Sequence, residues 1–230
     1  MRFGGKSCLI TGAAGNLGHA VAQAFAAEGA SLVLMDHREE HLRSVFGGEA
    51  EGRRFALADL RDAQSVARAL TTGARIDILC NIAGGFRMGQ PVHETSDETW
   101  DLMLGLNAKS VINCARAVVP GMLAAGGGKI INIGAMAGLS GKANMGAYIA
   151  SKSAVIRLTE SMAAELREKG INVNCILPSI IDTPQNRKDM PKADTKRWVA
   201  PEAVADVTLF LASDAARAIH GASIPVAGLS

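Results

Sequence analysis

Tyr148 and Lys152 lie four residues apart at the end of the stretch GAMAGLSGKANMGAYIASK, Gly134–Lys152. On a helix that spacing puts both side chains on one face. A cation beside a phenol favours the phenolate and lowers its pKa from about 10. A tyrosine so placed can give or take a proton near neutral pH. A Tyr/Lys pair on a helix is more often part of a solvated face, so the pair gains meaning only from its setting. Tyr148 is the one tyrosine of the chain.

A second chemical signal stands at the other end. The run TGAAGNLG, Thr11–Gly18, follows a short apolar segment and opens an amphipathic one. Glycines there let the backbone approach a pyrophosphate, and the start of a helix supplies N–H donors and positive potential. The candidate cofactor contacts are Gly12, Gly15, Asn16, Leu17 and Gly18. The spacing is not G-x-G-x-x-G, because Asn16 stands where a further glycine could sit. Asn tolerates left-handed backbone better than most residues. Asp36 comes 24 residues after Gly12. A carboxylate at that point can bond both adenosine ribose hydroxyls and would repel a 2′-phosphate, which favours NAD(H). His37 and Arg38 follow, and an arginine can accept that phosphate, so NADP(H) stays open. Asp59 and Leu60 close a third apolar run, and Asn81, Ala83 and Gly84 a fourth. Their backbones could line an adenine pocket.

These residues need elements to carry them. Short apolar runs alternate with longer amphipathic ones along the chain. SCLIT, SLVLMD, RRFALADL, IDILCNIAGG, GKIINIGA, INVNCILP and ASIPVAG read as strands. Helices are predicted between them, among them a long one over about 97–125, bent near Pro120, and another over 143–169. Such alternation predicts an α/β fold: one Rossmann-type, doubly wound parallel sheet with helices on both faces. Residues 1–230 read as a single dinucleotide-binding domain. The stretch at about 179–198, rich in proline and charge, breaks both periodicities. It follows a strand's carboxyl end, where ligands bind in this architecture, and is read as a substrate loop.

The bulk composition sets limits. Hydrophobic residues make up 48% and charged residues 20%, as in ordinary globular proteins. A net charge of +2 gives no strong field for nucleic acid or an anionic membrane. No run reaches the ~18 apolar residues of a membrane span. Cys8, Cys80, Cys114 and Cys175 sit in apolar runs without C-x-x-C spacing, so they read as reduced core thiols rather than metal ligands. No metal site is expected. A soluble, cytoplasmic protein is the expectation.

Taken in order, TGAAGNLG, Asp36, NIAGG, Asn107, YIASK and VNCILPSIIDTP resemble the short-chain dehydrogenases/reductases, and the resemblance covers essentially the whole chain. It implies that Tyr148 is the general acid/base. Lys152 would hold the nicotinamide ribose and lower the tyrosine pKa. Asn107 would kink the long helix and hold a water in a proton relay. Thr183 and the Ile181 backbone would contact the carboxamide, with Pro178 on the same cofactor side. The resemblance also implies a homodimer or homotetramer built on the two long helices.

The chain departs from that family's pattern. Asn16 and Ser179 replace glycines, and Ala227 replaces an acidic residue. Ala135, thirteen residues before Tyr148, stands where the family has its serine. Ser140 is too close to Tyr148 to replace it without a rearranged loop. That serine normally bonds a carbonyl oxygen that becomes an alkoxide, and losing one such donor costs on the order of a hundredfold in rate. Dihydropteridine reductases resemble this chain in having alanine there, in the loop LPSIIDTPQNRKDMPKAD and in ILCNIAGGFRMG, with an aromatic after paired glycines. The favoured expectation is an NADH-dependent reductase of a quinonoid, pterin-like substrate. A carbonyl/alcohol oxidoreductase acting on a 3-oxoacyl or small hydroxy compound is the second. A cofactor-binding homologue with impaired catalysis is the third.

Overall fold

The computed structural model describes residues 1–71 and 75–230. Seven parallel strands form one sheet in the order β3-β2-β1-β4-β5-β6-β7. They are β1 Ser7–Thr11, β2 Ser31–Asp36, β3 Arg53–Leu57, β4 Ile78–Asn81, β5 Gly128–Ile133, β6 Ile171–Pro178 and β7 Ser223–Val226. Every residue of β6 is buried, as parallel strands covered on both faces must be. Alternate residues of β1 serve opposite layers. Cys8 and Ile10 pack with Phe25 of α1 (Asn16–Ala27) and Leu209 of α8 (Pro201–Ala212). Leu9 packs with Val66 of α3 (Ala63–Ala69) and Met122 of α5 (Ser110–Ala124).

The order reverses between β1 and β4, and crevices for ligands form outside the carboxyl ends of strands at such a point. The helices there begin and end for local reasons. The start of α1 has Gly15 as its cap, without a side-chain cap bond. Ser96 caps α4 (Asp97–Met103), whose first turn carries Asp97 and Glu98 against the helix dipole. The helix α6, Gly146–Leu166, continues as a 3₁₀ turn and stops at Gly170, whose φ of +76° is left-handed.

Three expectations are corrected. The third strand stops at Leu57, so Asp59 and Leu60 lie in the turn beyond it. The last long helix starts at Gly146 rather than 143, because Asn144 takes a φ of +60° and Met145 caps the helix. The irregularity of the first long helix is not at Pro120, which lies inside regular α5. It is a π-helical turn, Leu104–Lys109, joining α4 to α5. The Ser110 hydroxyl donates to the Leu106 carbonyl at 2.7 Å, tying down a carbonyl in that turn. The continuous helical stretch Asp97–Ala124 is long and apolar enough to cross a membrane by length and composition. Half of its most apolar window is buried, as in a core helix.

Residues 179–198 are not uniformly irregular. Thr183 caps a short helix α7, Pro184–Asp189, by accepting from the Asn186 N–H at 3.1 Å, with Pro184 in the first turn. The remaining helix, α2, covers Glu39–Phe46.

Candidate active site

The glycine turn leaves β1 at Thr11, whose hydroxyl accepts from the Ile82 and Ala83 N–H groups at 3.0 and 3.1 Å. That couples the turn to the segment after β4. Gly12 has φ +62°, and a Cβ there would come within 2.9 Å of the Ala83 Cα. At Gly18 a Cβ would come within 2.2 Å of the Gly12 carbonyl oxygen. Only glycine fits either place. Gly15 donates to that same carbonyl at 3.0 Å, and the first helical bond runs from His19 to Gly15. The N–H groups of Asn16, Leu17 and Gly18 thus open α1 free of intrahelical partners, the arrangement that receives a pyrophosphate. The cradle fits a dinucleotide.

Asp36 ends β2 and is buried, with Oδ2 accepting from the Ala14 N–H at 3.4 Å and Oδ1 from the His37 N–H at 2.8 Å. The carboxylate therefore sits beside the glycine turn. The His37 ring nitrogen is 3.0 Å from Oδ1. Asp59 instead turns away into a two-armed pair with Arg61 at 2.8 and 3.0 Å, which holds its carboxyl below its usual pKa. The Leu60 carbonyl accepts from Asn113 at 2.8 Å. The Asn81 side-chain amide donates into the sheet, to Asn132 Oδ1 at 2.8 Å, while its Oδ1 is buried with no hydrogen-bond partner.

Asn107, carried inward by the π turn, is buried. Its Oδ1 accepts from the Gly85 N–H at 2.8 Å, and its Nδ2 donates to the Gly85 carbonyl at 3.1 Å and to Ser151 Oγ at 2.8 Å. One side chain thus ties the loop after β4 to α6. Gly84 lies between Asn107 and Lys152, since a Cβ on it would be 2.9 Å from Asn107 Oδ1 and 3.3 Å from Lys152 Nζ. Lys152 donates to the Ile133 carbonyl at the end of β5, at 2.8 Å. The sequence offers no signal for that contact, because the partner is a backbone atom.

Spacing predicts a lowered phenol pKa, and the structure corrects this. Burial pushes Tyr148 up to about 12. Burial also lowers Lys152 to about 8. Desolvation disfavours the charged form of each. At neutral pH Tyr148 is a protonated acid, one helical turn from a cation. Phe86, from the loop after β4, meets Tyr148 edge to face, ring centroids 4.8 Å apart.

Ala135 is buried and precedes a 3₁₀ turn, Met136–Leu139. The hydroxyls near Tyr148 do not replace a serine there. Ser151 donates to the Tyr148 carbonyl at 2.7 Å, and Ser153 to the Gly138 carbonyl at 2.6 Å. Ser140 lies exposed beyond the turn. A cleft of about 320 Å³ is lined by residues 87–90 and 144–147 with Thr95 and Thr99, its lining ending one residue before Tyr148. A larger cavity of about 720 Å³ opens at the sheet's opposite end, around Lys6, Asp77 and Lys129. It lies away from the strand ends that carry these groups.

Pro178 ends β6, and Ile181 and Thr183 follow it on the same edge. The Ile181 carbonyl accepts from Asn186 Nδ2 at 2.8 Å, and the Thr183 hydroxyl is spent on its helix cap. The structure thus brings Gly84, Asn107 and Lys152 together, and Gly12, Asp36 and Ala83 around the turn. Sequence reasoning missed Thr11 and Ser151, whose neighbours come from distant parts of the chain.

Comparison with known proteins agrees with this layout. The family model described as short chain dehydrogenase matches residues 6–194. D-threitol dehydrogenase of Mycolicibacterium smegmatis is 37% identical, over 99% of this chain and 93% of that protein. The 3-oxoacyl-(acyl-carrier-protein) reductase FabG of Thermotoga maritima is 36% identical, over 99% of this chain and 98% of that one. Among solved structures, a 3-oxoacyl-(acyl-carrier protein) reductase with bound NAD from Brucella melitensis superposes with TM-score 0.89 at 30% identity, covering 99% of this chain and 91% of the other.

Proposed function

The chain belongs to the short chain dehydrogenase family of NAD(P)-dependent oxidoreductases, and from that premise we propose that it is an NADH-dependent reductase of a conjugated, imine-like ring such as a quinonoid dihydropterin. The single observation that carries the substrate class is Ala135, a methyl group where a hydroxyl would otherwise meet a developing alkoxide. Reduction of a quinonoid ring places the new charge on nitrogen within a conjugated system, so no alkoxide needs a donor. Phe86, 47% exposed and edge-on to Tyr148, offers an aromatic wall to a flat substrate.

NADH, when bound, supplies the hydride. The chain's own residues do the rest. Glycines 12, 15 and 18 and the start of α1 receive the pyrophosphate, and Asp36 takes the adenosine ribose, which favours NADH over NADPH. Tyr148 gives its phenolic proton to the ring nitrogen. Lys152, held by the Ile133 carbonyl, supplies positive charge that eases loss of that proton. Asn107 fixes the loop bearing Gly84, Gly85 and Phe86 against α6. Ile181, Thr183 and Pro178 line the nicotinamide side. The enzyme acts in the cytoplasm on a small-molecule substrate, as a homodimer or homotetramer.

A carbonyl/alcohol reaction is the second reading, favoured by two relatives, a threitol dehydrogenase and a 3-oxoacyl reductase. It needs a water or backbone N–H to do the serine's work. Ala135→Ser separates the two. On the quinonoid reading, the wild type reduces the ring substrate and the added hydroxyl brings no gain. A rise in ketone turnover of roughly a hundredfold, with no ring reduction by either protein, would support the second reading instead.

A further inference from the structure

Two of the family departures, Ser179 and Ala227, meet in space. Ser179 directly follows β6 and begins the substrate loop, and its N–H donates to the Val226 carbonyl at 3.1 Å. Its hydroxyl donates to the Ala227 carbonyl at 2.7 Å and lies 2.6 Å from Ser230 Oγ. Ser230 Oγ, which also donates to the Ala227 carbonyl at 3.0 Å, closes a three-way cluster with the Ser179 hydroxyl. A glycine at 179 could make neither contact.

Between Ala227 and Ser230, residues 228 and 229 reach the far end of the loop. The Leu229 N–H donates to the Arg197 carbonyl at 3.0 Å. Gly228, at φ +60°, lies so close that a Cβ would come within 2.9 Å of the Arg197 carbonyl oxygen and 3.2 Å of that of Trp198. The loop's two stems also join each other: Val199 donates to Ile180 at 2.9 Å and Asp182 to Val199 at 2.7 Å. Residues 227–230 therefore lie across both stems of the loop that carries Ile181 and Thr183.

We propose that residues 227–230, fastened by Ser179, are a latch that holds the 179–198 loop in place at the site, and that Ser179 is a positioning residue for the reaction. The latch itself is independent of the substrate; its effect on turnover rests on the oxidoreductase reading above.

Limited trypsin digestion tests the latch directly. The loop offers Arg187, Lys188, Lys192, Lys196 and Arg197, all exposed. Ser179→Gly and a chain ending at Gly228 should each be cut in this loop faster than wild type, by about fivefold for each hydrogen bond lost. Ser179→Thr, which keeps the hydroxyl, should restore resistance. With a quinonoid dihydropterin and NADH, the two loosened variants should show a raised KM and a kcat near wild type. Equal cleavage of wild type and both variants would overturn the proposal, as would faster cleavage with no change in KM. If the loop loosens as expected but the wild type turns over neither this substrate nor a ketone, the latch stands and the proposed substrate reading falls.

Discussion

Tyr148 and Lys152 are shifted away from their ordinary pKa values by one cause, burial, acting on charges of opposite sign. Tyr148 is raised to about 12 and, as the sole tyrosine, can be titrated directly by phenolate absorbance in the near ultraviolet. The free protein should show no phenolate through pH 10. Phe86→Ala, which opens the phenol to water, should bring the transition down. A wild-type midpoint at or below 10.0, the ordinary value of a tyrosine, would contradict the desolvation argument. Lys152 gives a second test. Its pKa is lowered from 10.5 to about 8. Below pH 8 it carries its proton both folded and unfolded, and the folded chain bears the full cost of burying that charge. Between pH 8 and 10.5 the folded side chain is deprotonated first, the cost fades, and stability rises with pH. Lys152→Met should therefore stabilise the free protein below pH 8 and lose that advantage by pH 10.5, read as melting temperature against pH. A difference that does not vary across that window would count against it.

At the scale of elements, the π turn Leu104–Lys109 decides where Asn107 points. Asn107→Ala would strand the Gly85 N–H and carbonyl and remove the donor that Ser151 Oγ now accepts from. Leaving such partners unmet should lower stability by roughly 2–4 kcal/mol, measured by urea unfolding. A loss within about 0.5 kcal/mol, as for an ordinary surface change, would show that the loop after β4 does not depend on Asn107. The strands were legible in the sequence because parallel strands read as unbroken apolar runs, and SCLIT, SLVLMD and INVNCILP match β1, β2 and β6 residue for residue. The π turn was not, because no residue type marks a single i→i+5 turn inside a helix. Pro120 drew attention instead, although α5 accommodates it. The helix inside the substrate loop had a readable signal in Thr183-Pro184, a cap followed by proline at the first helical position.

Across the whole molecule, the sheet order places the glycine turn, Asp36, Gly84, Asn107, Lys152 and the 179–198 loop at one edge, from segments far apart in the chain. Their types and order were visible in the sequence; their contacts were not. The Lys152 bond to the Ile133 carbonyl and the Ser179 contact with Ala227 depend on backbone atoms that any residue supplies. The same whole-molecule arrangement makes Ala135 informative, because on the proposed reading the Tyr148/Lys152 pair works without a hydroxyl at that position. The most direct test is NADH consumption by the purified protein with a quinonoid dihydropterin, with Tyr148→Phe as the control. Rapid turnover is expected, falling by roughly a hundredfold or more in the variant. NADH binding without turnover of the dihydropterin, beside ready reduction of a ketone, would contradict the conjugated-ring assignment.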